Sequence, residues 1–257
     1  MVTTGQITGL IMAIVLPILA GAVPFCILWK RSSRIENGMI GAVAYGALGY
    51  FWQEVIYSSL SMMALTSMRG VFNTIGGSGG ILVAAVEALL RGMFVVLGLY
   101  WGVYLTNTKQ RSLYRSATVG IGFGIGDALL SYGFQLYYAV RINLGIFTGE
   151  EAARESILST SVGSLYVGAY RGILMVIIFM GMALVMGDYY LEKKRRQAWG
   201  VPLIVYVFLR FTEVILNMYL SVMVTRIIVC VLLTVFAAGS LWIVRGWLQT
   251  GKVRIKK

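Results

Sequence analysis

Val86-Glu87-Ala88-Leu89-Leu90-Arg91 places a carboxylate and a guanidinium four residues apart inside an apolar run from about Gly80 to Leu105. The run is long enough to cross a bilayer as a helix. At that spacing the two charges share one helix face, where they pair with each other or turn together into a protein interior. A charge at membrane depth costs about 2.5–3.5 kcal/mol even on a lenient insertion scale. Two such residues in one span predict a bundle with an ionic core. The fold class that follows is all-α, a polytopic integral membrane helical bundle.

The rest of the chain reads the same way. Its 257 residues are 58% hydrophobic and 12% charged, with mean hydropathy +0.81. A soluble domain carries roughly twice that charged fraction. One transmembrane helical domain over residues 1–257 is expected. The net charge of +12 would suggest nucleic acid in a soluble protein. Here the basic residues cluster between apolar runs, so orientation in the lipid bilayer explains them and no nucleic-acid partner is expected.

Seven spans are expected, at about 6–29, 38–59, 80–105, 116–140, 162–186, 200–221 and 223–246. Lys30, Arg31 and Arg34 divide the first pair of spans; Lys109, Arg111 and Arg115 divide the third from the fourth. Lys193, Lys194, Arg195 and Arg196 divide the fifth from the sixth, and Lys252, Arg254, Lys256 and Lys257 follow the last. The alternate connections hold only Arg69, Arg141 with Arg154, and Arg226. Basic clusters on every second connection place the N-terminus outside and the C-terminus in the cytoplasm of a multi-pass plasma-membrane protein. The first apolar run, reaching Leu28 with no positive side chain before it, reads as a retained span and not a signal peptide.

Two connections look more elaborate than turns. Residues 60–79 end in Gly76-Gly77-Ser78-Gly79, which reads as a slack connector, with a movable gate as the alternative. Residues 142–161 contain Thr148-Gly149-Glu150-Glu151, a capping box that opens a short surface helix through Leu158. Glu150, Glu151 and Glu155 there suit solvated positions near a helix start better than a catalytic pair. Trp29, Trp52, Trp101, Trp199, Trp242 and Trp247 fall mostly near span ends, as interfacial anchors do.

The ionisable residues inside the spans are Glu54, Glu87, Arg91, Asp127, Arg171, Arg210 and Glu213, four acids and three bases. Their near balance points to an internal ionic network. Arg210 and Glu213 are expected to pair locally; Glu87 and Arg91 are expected to pair locally or to reach Arg171 and Asp127. On the local pairing, removing Arg91 would strand Glu87. In the fourth span, Gly120, Gly122, Gly124 and Gly126 leave bare patches where another backbone packs closely. They are not a dinucleotide fingerprint, since no strand precedes them. Cys26 and Cys230 fall near opposite membrane faces, so no disulfide is expected. With no histidine and no cysteine cluster, no metal site and no cofactor is expected.

In order and spacing these segments resemble the YhfC-type membrane proteins, distant relatives of the CAAX-type glutamic intramembrane proteases. Glu87-Ala88-Leu89-Leu90-Arg91 resembles that family's Glu-Glu-x-x-Arg motif. Gly122-Phe123-Gly124-Ile125-Gly126-Asp127-Ala128-Leu129 resembles its Gly-x-Gly-His-Gly-Gly-x-Glu motif, and Tyr170-Arg171 its Glu-Arg pair, with Ile178 or a near neighbour where a histidine would fall. The likeness covers roughly the first two-thirds of the chain. Ala88, Ile125, Leu129 and Tyr170 stand where the family carries glutamate or histidine; Glu87, Arg91 and Arg171 match.

The resemblance implies a retained scaffold with a degenerate site around Glu87, Arg91, Asp127 and Arg171. Water activation by a glutamate needs polar partners within hydrogen-bond reach. The expected function is therefore a non-catalytic, pseudoprotease-like protein that binds another membrane protein or a membrane-proximal peptide, as scaffold or complex subunit. The alternative is a transporter using its intramembrane acids. A closed ionic cluster favours the first; a route from Glu87 or Asp127 to one face favours the second.

Overall fold

A computed structural model describes residues 1–31, 36–72, 77–108, 112–146, 151–192 and 197–249. The described residues are helical almost throughout: α1 (Thr4–Arg31), α2 (Glu36–Phe72), α3 (Gly77–Asn107), α4 (Leu113–Asn143), α5 (Glu151–Ser159), α6 (Val162–Leu191), α7 (Gly200–Tyr219) and α8 (Val222–Gln249). A single 3-10 turn, Gln197–Trp199, leads into α7. Among them, α1, α3, α4, α6, α7 and α8 are long and apolar enough to cross a membrane. This is a multi-pass helical bundle. Helix α2 is longer than any of them, at 37 residues, and its Gln53 and Glu54 dilute its apolar character.

The most buried element is α6: 72% of its most apolar stretch is inside the protein, against 11% for α7. Around it lie α1, α4 and α8, with α2 and α3 on the far side of α4. Phe123 of α4 joins the layers, its ring 4.9 Å from that of Phe179 on α6 and 5.1 Å from that of Tyr50 on α2. The glycines of α4 make this possible. A Cβ on Gly120 or Gly122 would collide with the carbonyl oxygen of Phe179 or Val43 respectively. A Cβ on Gly124 would stand 2.6 Å from Val176 Cα, and one on Gly126 3.1 Å from Ala47 Cα. Alternate glycines thus serve alternate neighbours, α6 and α2, and α4 is clasped between two backbones.

Helix α4 ends at Gly145, whose φ of +71° suits glycine. The Gly145 N–H donates to the Ile142 carbonyl and the Ile146 N–H to that of Arg141, closing a Schellman cap. The expected surface helix is α5, tied down from a distance: Gln6 Nε2 donates to the carbonyls of Ile157, Leu158 and Thr160. At the opposite end of the bundle Arg31 Nη1 donates to the Leu248 carbonyl, so α1 and α8 finish together.

One expectation changes. The 60–79 connection is mostly helix: α2 runs through Phe72 and α3 begins at Gly77, because Ser61 to Met68 holds no breaker and several good helix formers. Gly77 and Ser78 therefore open a helix, and Gly76 lies outside the described residues. Trp199 caps the start of α7, with its ring 5.1 Å from that of Tyr100. Thr148, Gly149 and Glu150 of the capping box, and the basic residues Arg34, Lys109, Arg111, Lys193, Lys194, Arg195, Arg196, Lys252, Arg254, Lys256 and Lys257, also lie outside the described residues. Both cysteines are free, Cys26 exposed and Cys230 buried.

Candidate functional site

Three helices turn polar stripes towards one another. Tyr206, Arg210 and Glu213 recur at helical spacing on one face of α7, as do Tyr50, Glu54 and Tyr57 on α2. Between them α3 supplies Glu87 and Arg91, and α6 adds Arg171 from behind.

Glu87 and Arg91 do not pair with each other. Arg210 Nη2 donates to Glu87 Oε1 at 2.8 Å, and Arg91 Nη2 donates to Glu54 Oε2 at 2.8 Å. The reason is that α3 packs against both α2 and α7. A local pair would leave Glu54 without its guanidinium and Arg210 with Glu213 alone, whereas the crossed arrangement gives every charge a partner. Nor does Arg171 reach Glu87. It grips Glu213 with both terminal nitrogens, at 2.5 and 3.1 Å. Arg210 Nη1 donates to the same carboxylate at 3.1 Å, the local pair anticipated on α7.

The result is a continuous chain, Glu87–Arg210–Glu213–Arg171, that links α3, α7 and α6 with two acids and two bases. Beside it, Arg91 and Glu54 form a second neutral pair, with the Arg91 guanidinium 4.7 Å above the Tyr57 ring. Asp127 stands apart from the ion pairs and accepts from the Tyr50 hydroxyl at 2.5 Å. The tyrosines and Gln53, which donates to Glu54 at 3.3 Å, were not among the residues anticipated. Their recurrence with Glu54 and Arg210 along α2 and α7 is the pattern that marks them.

A cavity of about 520 Å³ opens between α4, α5, α6, α7 and α8. Arg171 and Glu213 form part of its wall; Glu54, Glu87 and Asp127 do not. Arg171 is 40% exposed because it faces this space.

The positions that resemble protease motifs do not gather into one site. Ala88 and Ile178 are buried in apolar packing, whereas Leu129 points outward. Ile125 packs against an apolar cluster that includes Leu28, Ile121 and Val176, and the Tyr170 hydroxyl lies 3.0 Å from that of Thr234 on α8. The group that bonds Glu87 is the guanidinium of Arg210, which suits bracing of charge. Compared with family models, curated proteins and solved structures, the chain matches none.

Proposed function

We propose that this chain is a non-catalytic protein of the plasma membrane that binds another membrane protein or a membrane-proximal peptide, as scaffold or complex subunit. The observation that carries this reading is the capture of Glu87 by an arginine. Glu87, which stands at the first glutamate of the stretch resembling a Glu-Glu-x-x-Arg motif, is held by Arg210 at 2.8 Å. A general base needs polar partners that orient water and carry the proton. Glu87 instead joins α3 to α7 through a guanidinium, at one end of the chain that links α3, α7 and α6, which suits a scaffold without protease chemistry. In this reading α2 is the seventh span, the N-terminus lies outside and the C-terminus in the cytoplasm; the meeting of Arg31 with the end of α8 agrees with that arrangement.

Transport is the second reading, favoured by one observation: the cavity reaches the Arg171–Glu213 pair. Gentle affinity purification from native membranes, with mass spectrometry of what co-elutes, separates the two. A stoichiometric membrane partner retained by the Glu87→Gln variant supports a scaffold. Recovery as a lone, homogeneous protein turns the case to transport, tested by flux assays on Glu213 variants.

A further inference from the structure

The cavity beside the ionic chain carries more positive charge than its walls neutralise. Among the described residues lining it, Glu213 is the one carboxylate, and both its oxygens already accept from Arg171 or Arg210. Arg226 also lines the cavity and has no acidic partner among the described residues. Arg171 uses two nitrogens on Glu213 and keeps further N–H groups for a ligand. Thr225, in the same first turn of α8, belongs to the cavity wall; it is 1% exposed, and its buried hydroxyl has no hydrogen-bond partner. A buried hydroxyl left unmatched is uncommon and calls for a missing partner.

We propose that this cavity binds a phosphate group, presented by the headgroup of an anionic phospholipid or by free phosphate, with Arg226 and Arg171 as its cationic partners and Thr225 as a hydroxyl donor. Phosphate offers enough oxygens for two guanidinium groups and a hydroxyl at once, and arginine matches its geometry. The first turns of α6 and α8 also meet the cavity, through Ser164 and Thr225, and bring the positive ends of both helix dipoles to it. At its rim Phe134 and Val222 are 55% and 60% exposed, an apolar border along which acyl chains lie while the headgroup enters. This site is independent of the protein partner proposed above, so either can fail alone.

The test uses the full chain in dodecyl maltoside micelles, which hold no phosphate, and reads its melting temperature. In one arm, phosphatidylglycerol is added to the micelles and compared with micelles alone. In the other, inorganic phosphate is added to the micelles against chloride at equal ionic strength. A rise of several degrees in the first arm identifies a lipid headgroup, and in the second a free phosphate. In either case Arg226→Gln abolishes the rise, Arg226→Lys keeps part of it, and Thr225→Val, which removes no existing hydrogen bond, reduces it. Absence of a rise in both arms overturns the site, as does a rise that Arg226→Gln retains in full. Should Arg226→Gln fail to fold, a rise undiminished in Thr225→Val overturns it instead.

Discussion

Glu87 binds Arg210, 123 residues further along the chain, at 2.8 Å, in preference to Arg91 on its own helix. Arg210 in turn holds Glu213, so a single guanidinium serves two carboxylates from two helices. Removing it strands Glu87 and leaves Glu213 to Arg171 alone. Arg210→Leu is expected to destabilise the protein by about 3–5 kcal/mol, the usual cost of breaking a buried pair from one side. Detergent melting curves of wild type and variant measure this; an unchanged melting temperature would show that the chain carries no structural weight.

The crossed pairing makes a sharper prediction for double variants. Arg91→Leu alone leaves Glu54 unpaired, whereas Arg91→Leu with Glu54→Gln removes both charges and is expected to be milder. Combining Arg91→Leu with Glu87→Gln brings no such relief, because Glu87 belongs to Arg210. Double-mutant cycles by thermal melting should give a coupling energy for Arg91 with Glu54 clearly larger than for Arg91 with Glu87.

Asp127 relies on one hydroxyl. Tyr50→Phe keeps the ring against Phe123 but removes the donor at 2.5 Å. The loss is expected to cost about 1–3 kcal/mol, the penalty for an unsatisfied buried acceptor. Tyr50→Phe in an Asp127→Leu background should cost much less, which a second melting cycle checks.

Gly122→Val and Gly124→Val test the clasp on α4. Each puts a side chain against a neighbouring backbone that has no rotamer to yield, α2 for Gly122 and α6 for Gly124. Overpacking costs about 1–3 kcal/mol and more where backbone must move. Gly133→Val on the same helix, where a Cβ meets nothing within 4 Å, is the control and should melt like wild type.

Gln6 holds the end of α5 through three carbonyl oxygens. Gln6→Leu is expected to speed amide hydrogen exchange across residues 151–160 while leaving α4 and α6 protected. Uniform acceleration throughout the bundle would instead show that Gln6 supports the whole fold.

Much of this architecture was legible in the chain itself. Long apolar runs in a sequence with 12% charge leave helices as the way to satisfy backbone groups in lipid. Alternate glycines from Gly120 to Gly126 marked α4 as a helix approached closely, because a missing Cβ is a local property. The list of intramembrane charges was equally visible, and so was the Arg210–Glu213 pair, whose members sit within one turn. The helical extent of residues 61–72 was less so, since glycine downstream suggested slack where the residues themselves favour helix.

Who pairs with whom across helices was settled by the tertiary structure alone. Spacing shows that Glu87 and Arg91 share a face, but not that this face meets an acid on α2 and a base on α7 at once. Partner choice in low dielectric depends on satisfying every charge together, a global condition that no local spacing encodes. The cavity at Arg171, Thr225 and Arg226 is of the same kind, assembled from helices α4 to α8. The chain alone determined which groups had to be buried; packing decided how their charges were met.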